Sequence, residues 1–221
     1  MAVITISREL GSEGDRICDL ICEALGYCRV DKEVLLQVAE EADIDIDAVQ
    51  ELEESFTKRA RLVSGEMTSL YQKQASAFDR PGAIDDRAYA QVLKDTMEDY
   101  ARQGDVIIVG RGGQMILRDW PDALHVRLYA PEEVRARRLL AREGLTEAQA
   151  RRKIQQVDEQ KRQYIRRMHN NADWRNLKYY HLAIDTSRIP LETAAEMIVL
   201  AAQSQAPSLR SPEPSSGAET I

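Results

Sequence analysis

At 221 residues with 43% apolar content, the chain is long enough to bury a full core as one domain, and no apolar run nears the roughly 18 residues of a membrane span. Its net charge of −7 conceals an asymmetry: residues 31–56 carry ten acids and one base, whereas residues 132–168 carry eleven bases and six acids. The acidic segment argues against a general coat on duplex nucleic acid, and the basic segment is the part able to face phosphates. With no basic leader ahead of the first strand, a soluble, cytoplasmic protein is expected.

Taken in chain order, Val3 to Ile6 forms a first strand that breaks into the turn Leu10-Gly-Ser-Glu-Gly-Asp-Arg16. Ile17 to Leu25 repeats apolar residues at helical spacing, and Gly26 suits a left-handed C-terminal cap. A buried strand feeding a glycine-containing turn and a helix is phosphate-loop architecture, because backbone N–H groups and the helix N-terminus together make an anion site. The usual loop ends in Gly-Lys-Ser/Thr, yet here Gly14 stands where the Lys would fall, followed by Asp15 and Arg16.

Cys18 and Cys22 lie four apart on the apolar face of this helix and Cys28 just beyond it. Core packing is expected for all three, and no Cys/His cluster has metal-ligand spacing, so no metal ligand is assigned. Cys28 to Val30 reads as a brief second strand, Lys32 to about Glu54 as an acidic helix, and Ser55 to Asp86 has no clear period.

Ala88 to Arg102 is helical, and Val106 to Val109 is a continuous apolar run suited to a covered parallel strand. Leu124, Val126 and Leu128 alternate as a fourth strand, and Pro131-Glu-Glu133 starts a helix with Pro at its first position. Thr146 to Gln149 has the form of a capping box opening a long helix. Ala150, Ile154, Val157, Lys161, Tyr164 and Met168 share one mostly apolar stripe of it, and Arg151, Asp158, Arg162 and Arg166 another. His181 to Ile184 is a fifth strand, Pro190 starts a last helix to about Ala202, and residues 203–221 read as a disordered tail. This alternation predicts an α/β fold with a parallel sheet covered on both faces.

The opening Ile4-Thr-Ile-Ser-Arg-Glu-Leu-Gly-Ser12 resembles that of the cytidylate kinase-like family, a branch of the P-loop nucleoside monophosphate kinases. Val106-Ile-Ile-Val-Gly-Arg-Gly112, Leu128-Tyr-Ala-Pro-Glu-Glu-Val-Arg-Ala-Arg-Arg138, Asp158 to Arg162 and Ile184-Asp-Thr-Ser187 resemble further family elements in the right order. The resemblance implies a P-loop NTPase fold over residues 1–202: a five-stranded parallel sheet with helices on both faces and a helical lid at about 131–175.

It also implies phosphoryl transfer from ATP, with Mg2+, to a nucleoside monophosphate. Arg8, Gly11, Ser12, Gly14, Arg16, Arg135 and Arg138 would then bind the nucleotide, while Arg111, Arg162 and Asp158 would be catalytic. In that picture Arg111 meets the acceptor phosphate, and Asp158 accepts hydrogen bonds from Arg162 four residues on and holds its guanidinium.

The chain departs from the cytidylate kinase pattern at Gly14 and Arg16, at Gly112, where the family has Asp, and at His181, where an acid is usual. These departures leave a second reading, a nucleotide-sensing or partner-binding protein that kept the scaffold and lost turnover. Homo-oligomerisation is left open.

Overall fold

The computed structural model describes residues 2–35 and 86–204 of the chain. A run such as Val3-Ile-Thr-Ile6 suits a strand covered on both faces, and β1 (Val3–Arg8) is the central strand of a five-stranded sheet. It pairs in parallel with β3 (Val106–Val109) on one side and β4 (Ala123–Tyr129) on the other. β2 (Cys28–Val30) extends the β3 edge and β5 (Leu182–Asp185) the β4 edge, giving the order β2-β3-β1-β4-β5, all parallel.

Side chains alternate across each strand, so the sheet divides its apolar residues between two cores. On one face Val3, Val106 and Ile108 pack with Tyr89, Leu93 and Met97 of α2 (Asp86–Gln103) and with Trp174. On the other, Ile4, Ile6, Ile107 and Val126 pack with Ile17, Cys18 and Ile21 of α1 (Gly14–Leu25) and with Ala194 and Ile198 of α6 (Leu191–Ser204). A single turn, α3 (Gly113–Ile116), follows β3.

The hairpin of α4 (Glu132–Glu143) and α5 (Glu147–Met168) has a small core of its own, Ala136, Leu139, Ala150 and Ile154. Leu10 of the turn after β1 packs against that core, so the hairpin and the turn are one packed unit.

The expected fold class is the observed one, a P-loop kinase sheet with helices on both faces. Boundaries differ in instructive ways. α1 begins at Gly14 rather than Ile17, because Glu13 enters the left-handed region (φ 59°) and turns the chain into the helix three residues early. Pro131 occupies the N-cap of α4 in extended conformation rather than the first helical position. The Thr146 capping box forms with both of its bonds, and Gly26 caps α1 at φ 68°.

Cys18 is buried, and burial pushes its thiol up to about 12, which suits an inert core residue. Cys28 is exposed, because it starts an edge strand, so the expectation of core packing fails there. The acidic helix starts at Lys32 behind the Asp31 side chain, and its continuation to Glu54, the segment 55–85 and the tail from residue 205 lie outside the described residues. No helix among the described residues is long and apolar enough to cross a membrane.

At the N-terminal end of β4 a buried imidazole sets an acid limit. His125 Nδ1 is 2.8 Å from Thr5 Oγ1, and its ring stacks on His181 at 4.8 Å. Burial, and then the neighbouring imidazole, lower its pKa from 6.5 to about 4. As pH falls the unfolded chain therefore binds a proton before the folded one does. The contribution of neutral His125 is complete above about pH 6.5 and lost as pH falls through about 4. Urea unfolding at pH 7.5 and 5 should show the wild type losing about 2 kcal/mol more than His125→Gln between the two pH values. Equal losses would show that His125 does not set the limit.

Candidate active site

The open end of a parallel sheet beyond its strand carboxyl ends is where such folds bind ligands, notably where the chain switches sides. Here β3 and β4 flank β1 on opposite sides, and the segments leaving β1 and β3 meet there. A cleft of about 610 Å³ opens at that point, lined by Arg8 to Gly11, Glu13 to Arg16, Gly110, Arg111, Arg142 and Lys161 among others.

The turn after β1 is held from behind. Arg135 of α4 donates to the Leu10 carbonyl at 3.4 Å, and Arg138 donates to the Gly11 carbonyl at 3.2 Å and to Thr186 O and Oγ1 at 2.6 and 3.0 Å. Tying back carbonyls that would repel an anion leaves the first-turn N–H groups of α1 as the polar face toward the cleft. Glu13, the N-cap residue, makes no side-chain bond to those groups. Gly11 sits at φ 79°, and a Cβ there would lie 2.9 Å from the Arg135 carbonyl oxygen.

Gly14 explains the absent lysine sterically. A Cβ at this position would meet Arg8 Cβ at 2.5 Å and Cγ at 2.8 Å, so the stem of Arg8 occupies the room a side chain at 14 would need. The Arg8 guanidinium crosses toward Gly110 and donates to Asp15 at 3.2 Å. Asp15 also accepts from Arg29 at 2.8 Å, and Glu13 lies 3.5 Å from Arg16, so both loop carboxylates have cationic partners.

At the end of β3, Gly110, Arg111 and Gly112 have successive φ values of 84°, 50° and 78°. Arg111 thus holds a left-handed conformation that costs a non-glycine residue about 1–2 kcal/mol, the kind of strain kept at functional positions. Its guanidinium lies 4.9 Å from the centre of the Tyr164 ring.

The comparisons with known proteins agree with this architecture. The model of the cytidylate kinase-like family matches residues 3–188. The chain belongs to the cytidylate kinase-like family. A cytidylate kinase from Methanopyrus kandleri is 36% identical over 96 residues, covering 40% of this chain and 49% of that protein, so the chain spans about half the length of that relative. An uncharacterized protein from Eubacterium ventriosum has a similar structure (TM-score 0.66, 19% identity, covering 92% of this chain and 99% of that one). So does a sugar kinase from a Janibacter species (TM-score 0.50, 14% identity, 94% and 96%). At those identities the likeness is one of fold.

Within this cytidylate kinase-like chain, Arg8, Gly11, Gly14, Arg16 and Arg111 come together around the first cleft. Ser12 is fully buried behind the loop, its hydroxyl unpartnered among the described residues. The Arg16 side chain is 69% exposed. Arg135 and Arg138 hold the loop backbone from behind and do not line the first cleft.

The expected Asp158–Arg162 pair does not form. Asp158 is taken by Arg135, in a bidentate pair at 3.2 and 2.9 Å, and by Arg175 at 3.1 Å. Arg162, 48% exposed, turns to Glu159 at 2.7 Å and lines a second cleft on the other side of the hairpin. The cause is distance along the chain: a buried guanidinium on a neighbouring helix can take both oxygens of a carboxylate. The departure at Gly112 also has a steric basis, since a Cβ there would lie 2.1 Å from His169 Nε2.

Lys161 and Glu9 carried no site assignment from sequence. Glu9 had no signal, because its partners lie more than a hundred residues away. Lys161 had one, a lone cation on an otherwise apolar stripe. Among the described residues no group of three or more His, Cys, Asp or Glu could hold a metal ion.

Two left-handed glycines give a controlled test of the loop. Gly26 has open space around it and Gly11 does not, so Gly11→Ala should cost at least about 1 kcal/mol more than Gly26→Ala in urea unfolding. Equal costs would mean that the loop does not press against α4 as described.

Proposed function

We propose that the chain is a phosphotransferase that moves the γ-phosphoryl group of ATP to a nucleoside monophosphate, with Arg8 in place of the loop lysine. The observation that carries this reading is the stem of Arg8 lying against Gly14: the cation of the usual loop is replaced from the preceding strand. Phosphoryl transfer asks for in-line positioning and for cations that meet charge spread over the transferred group, and a guanidinium suits both.

In this reading the α1 N-terminus and the loop N–H groups hold the donor phosphates. Arg8 stabilises the β/γ end, and Arg142 adds charge from α4. Arg111 fixes the acceptor phosphate at the end of β3. Asp158 acts as a positioning residue: it fixes Arg135, which fixes the loop. Magnesium would be held mainly by the nucleotide's phosphate oxygens and by water, as this hard ion often is. Asp15, on the first turn of α1, lines the cleft and would support the ion, whose charge would offset that of the phosphates. Cytoplasmic location and a small nucleotide as the partner accord with this reading.

The sensor reading has one observation in its favour, the exposed Arg16 where a magnesium-binding hydroxyl would stand. Turnover decides between them. A coupled assay with ATP, magnesium and each nucleoside monophosphate should detect activity. Arg8→Met should lower kcat at least about tenfold, and Arg8→Lys should restore part of it. Nucleotide binding without turnover against every acceptor would favour the sensor.

Arg162 provides a separate check. Because it faces away from the first cleft, Arg162→Ala should leave kcat within about threefold, whereas Arg111→Ala should raise the acceptor KM at least about tenfold. A large loss of kcat in Arg162→Ala would instead mean that the hairpin swings to bring this residue over the phosphates.

A further inference from the structure

Lys161 is the one lysine that α5 sends inward at the cleft. Its ammonium donates to Arg8 O at 2.9 Å and to Ser7 Oγ at 3.1 Å, at the end of the strand that feeds the loop, and lies 4.2 Å from the centre of the Trp174 ring. It therefore rests on the main chain of the residue whose side chain fills the lysine's usual place, and it lines the cleft.

The charged groups facing it are Arg8 at the end of β1 and Glu9 just beyond it, Arg127 from β4 and Asp158 one turn back on α5, with Tyr180 hydroxyl nearby from the segment before β5. Both acids are already engaged. Glu9 accepts from Arg127 at 2.8 Å and lies 3.5 Å from Arg135, and Asp158 is shared by Arg135 and Arg175. Among the described residues the ammonium bonds a hydroxyl and a carbonyl rather than a carboxylate.

Resting on the kinase reading, we infer that Lys161 is a further cation of the donor-phosphate site, beside Arg8 and Arg142, one that takes up a proton from solvent as the phosphates enter. Burial and then the Arg8 and Arg127 charges pull the Lys161 ammonium down from 10.5 to about 7, against weaker support from Asp158 and Glu9. A polyphosphate in the cleft adds several negative charges that favour the charged form. The balance is simple: the neutral amine and one buffer proton become the ammonium, and no bond of the nucleotide changes. Affinity and protonation are then linked, so binding weakens as pH rises.

Calorimetric titration of the full chain with Mg-ATP at pH 8, in buffers of different ionisation enthalpy, reads the proton directly. At this pH the free amine is mostly neutral, so uptake should approach about one proton per bound nucleotide. Lys161→Arg, which keeps the charge but does not titrate, should bind with uptake abolished. Lys161→Met should bind at least tenfold more weakly, also without uptake. If either variant fails to fold, the wild-type titration still decides.

Binding by the wild type with no uptake or with release, or uptake that persists in Lys161→Arg, would overturn the inference and leave the kinase reading intact. Absence of nucleotide binding in every buffer would overturn the kinase reading itself, and this inference with it.

Discussion

The carboxylate of Glu9 is the joint on which the site is assembled. It is buried at the point where β1 ends, accepts from Arg127 of β4 at 2.8 Å and from the Ala130 amide at 3.4 Å, and lies 3.5 Å from Arg135 of α4. A charge so far from water is tolerated only because it is paired on several sides, and removing one member of such a group typically costs about 3–5 kcal/mol. The same set of bonds fixes three elements at once. Arg127 also donates to the Trp174 carbonyl at 3.0 Å and lies 4.6 Å from the centre of its ring, which joins the segment after α5 to the sheet.

From that joint the electrostatics of the cleft follow. Arg135 and Arg138 point their charge at loop carbonyls and at Asp158, not at the cavity. They engage the loop carbonyls from behind, while Arg8, Arg111 and Lys161 line the cleft itself. The basic count of residues 132–168 thus overstates the cationic character of the cavity, because several of these arginines are consumed within the protein.

How much of this was legible in the sequence depended on range. The five strands, the capping box and the family's ordered motifs are set by local patterns, and they were readable because a covered parallel strand or a Thr-x-x-Gln start leaves a short-range signature. Arg111 was readable because a strand end followed by Gly-Arg-Gly marks a position. The Asp158 pairing was not, since i, i+4 spacing competes with a guanidinium 23 residues away that chain distance hides. Nor could spacing reveal that Arg8 folds back over Gly14, for both residues look like surface positions of a turn.

The contact between Arg8 and Gly14 also couples the two positions. The stem of Arg8 and any side chain at 14 compete for a single volume, so a residue larger than glycine at 14 asks for a change at 8 or a shift of the backbone. A lysine introduced at 14 alone would meet the Arg8 Cβ and Cγ before its ammonium could reach the cleft. Substitutions at the two positions are therefore expected to be non-additive, each deciding what the other tolerates.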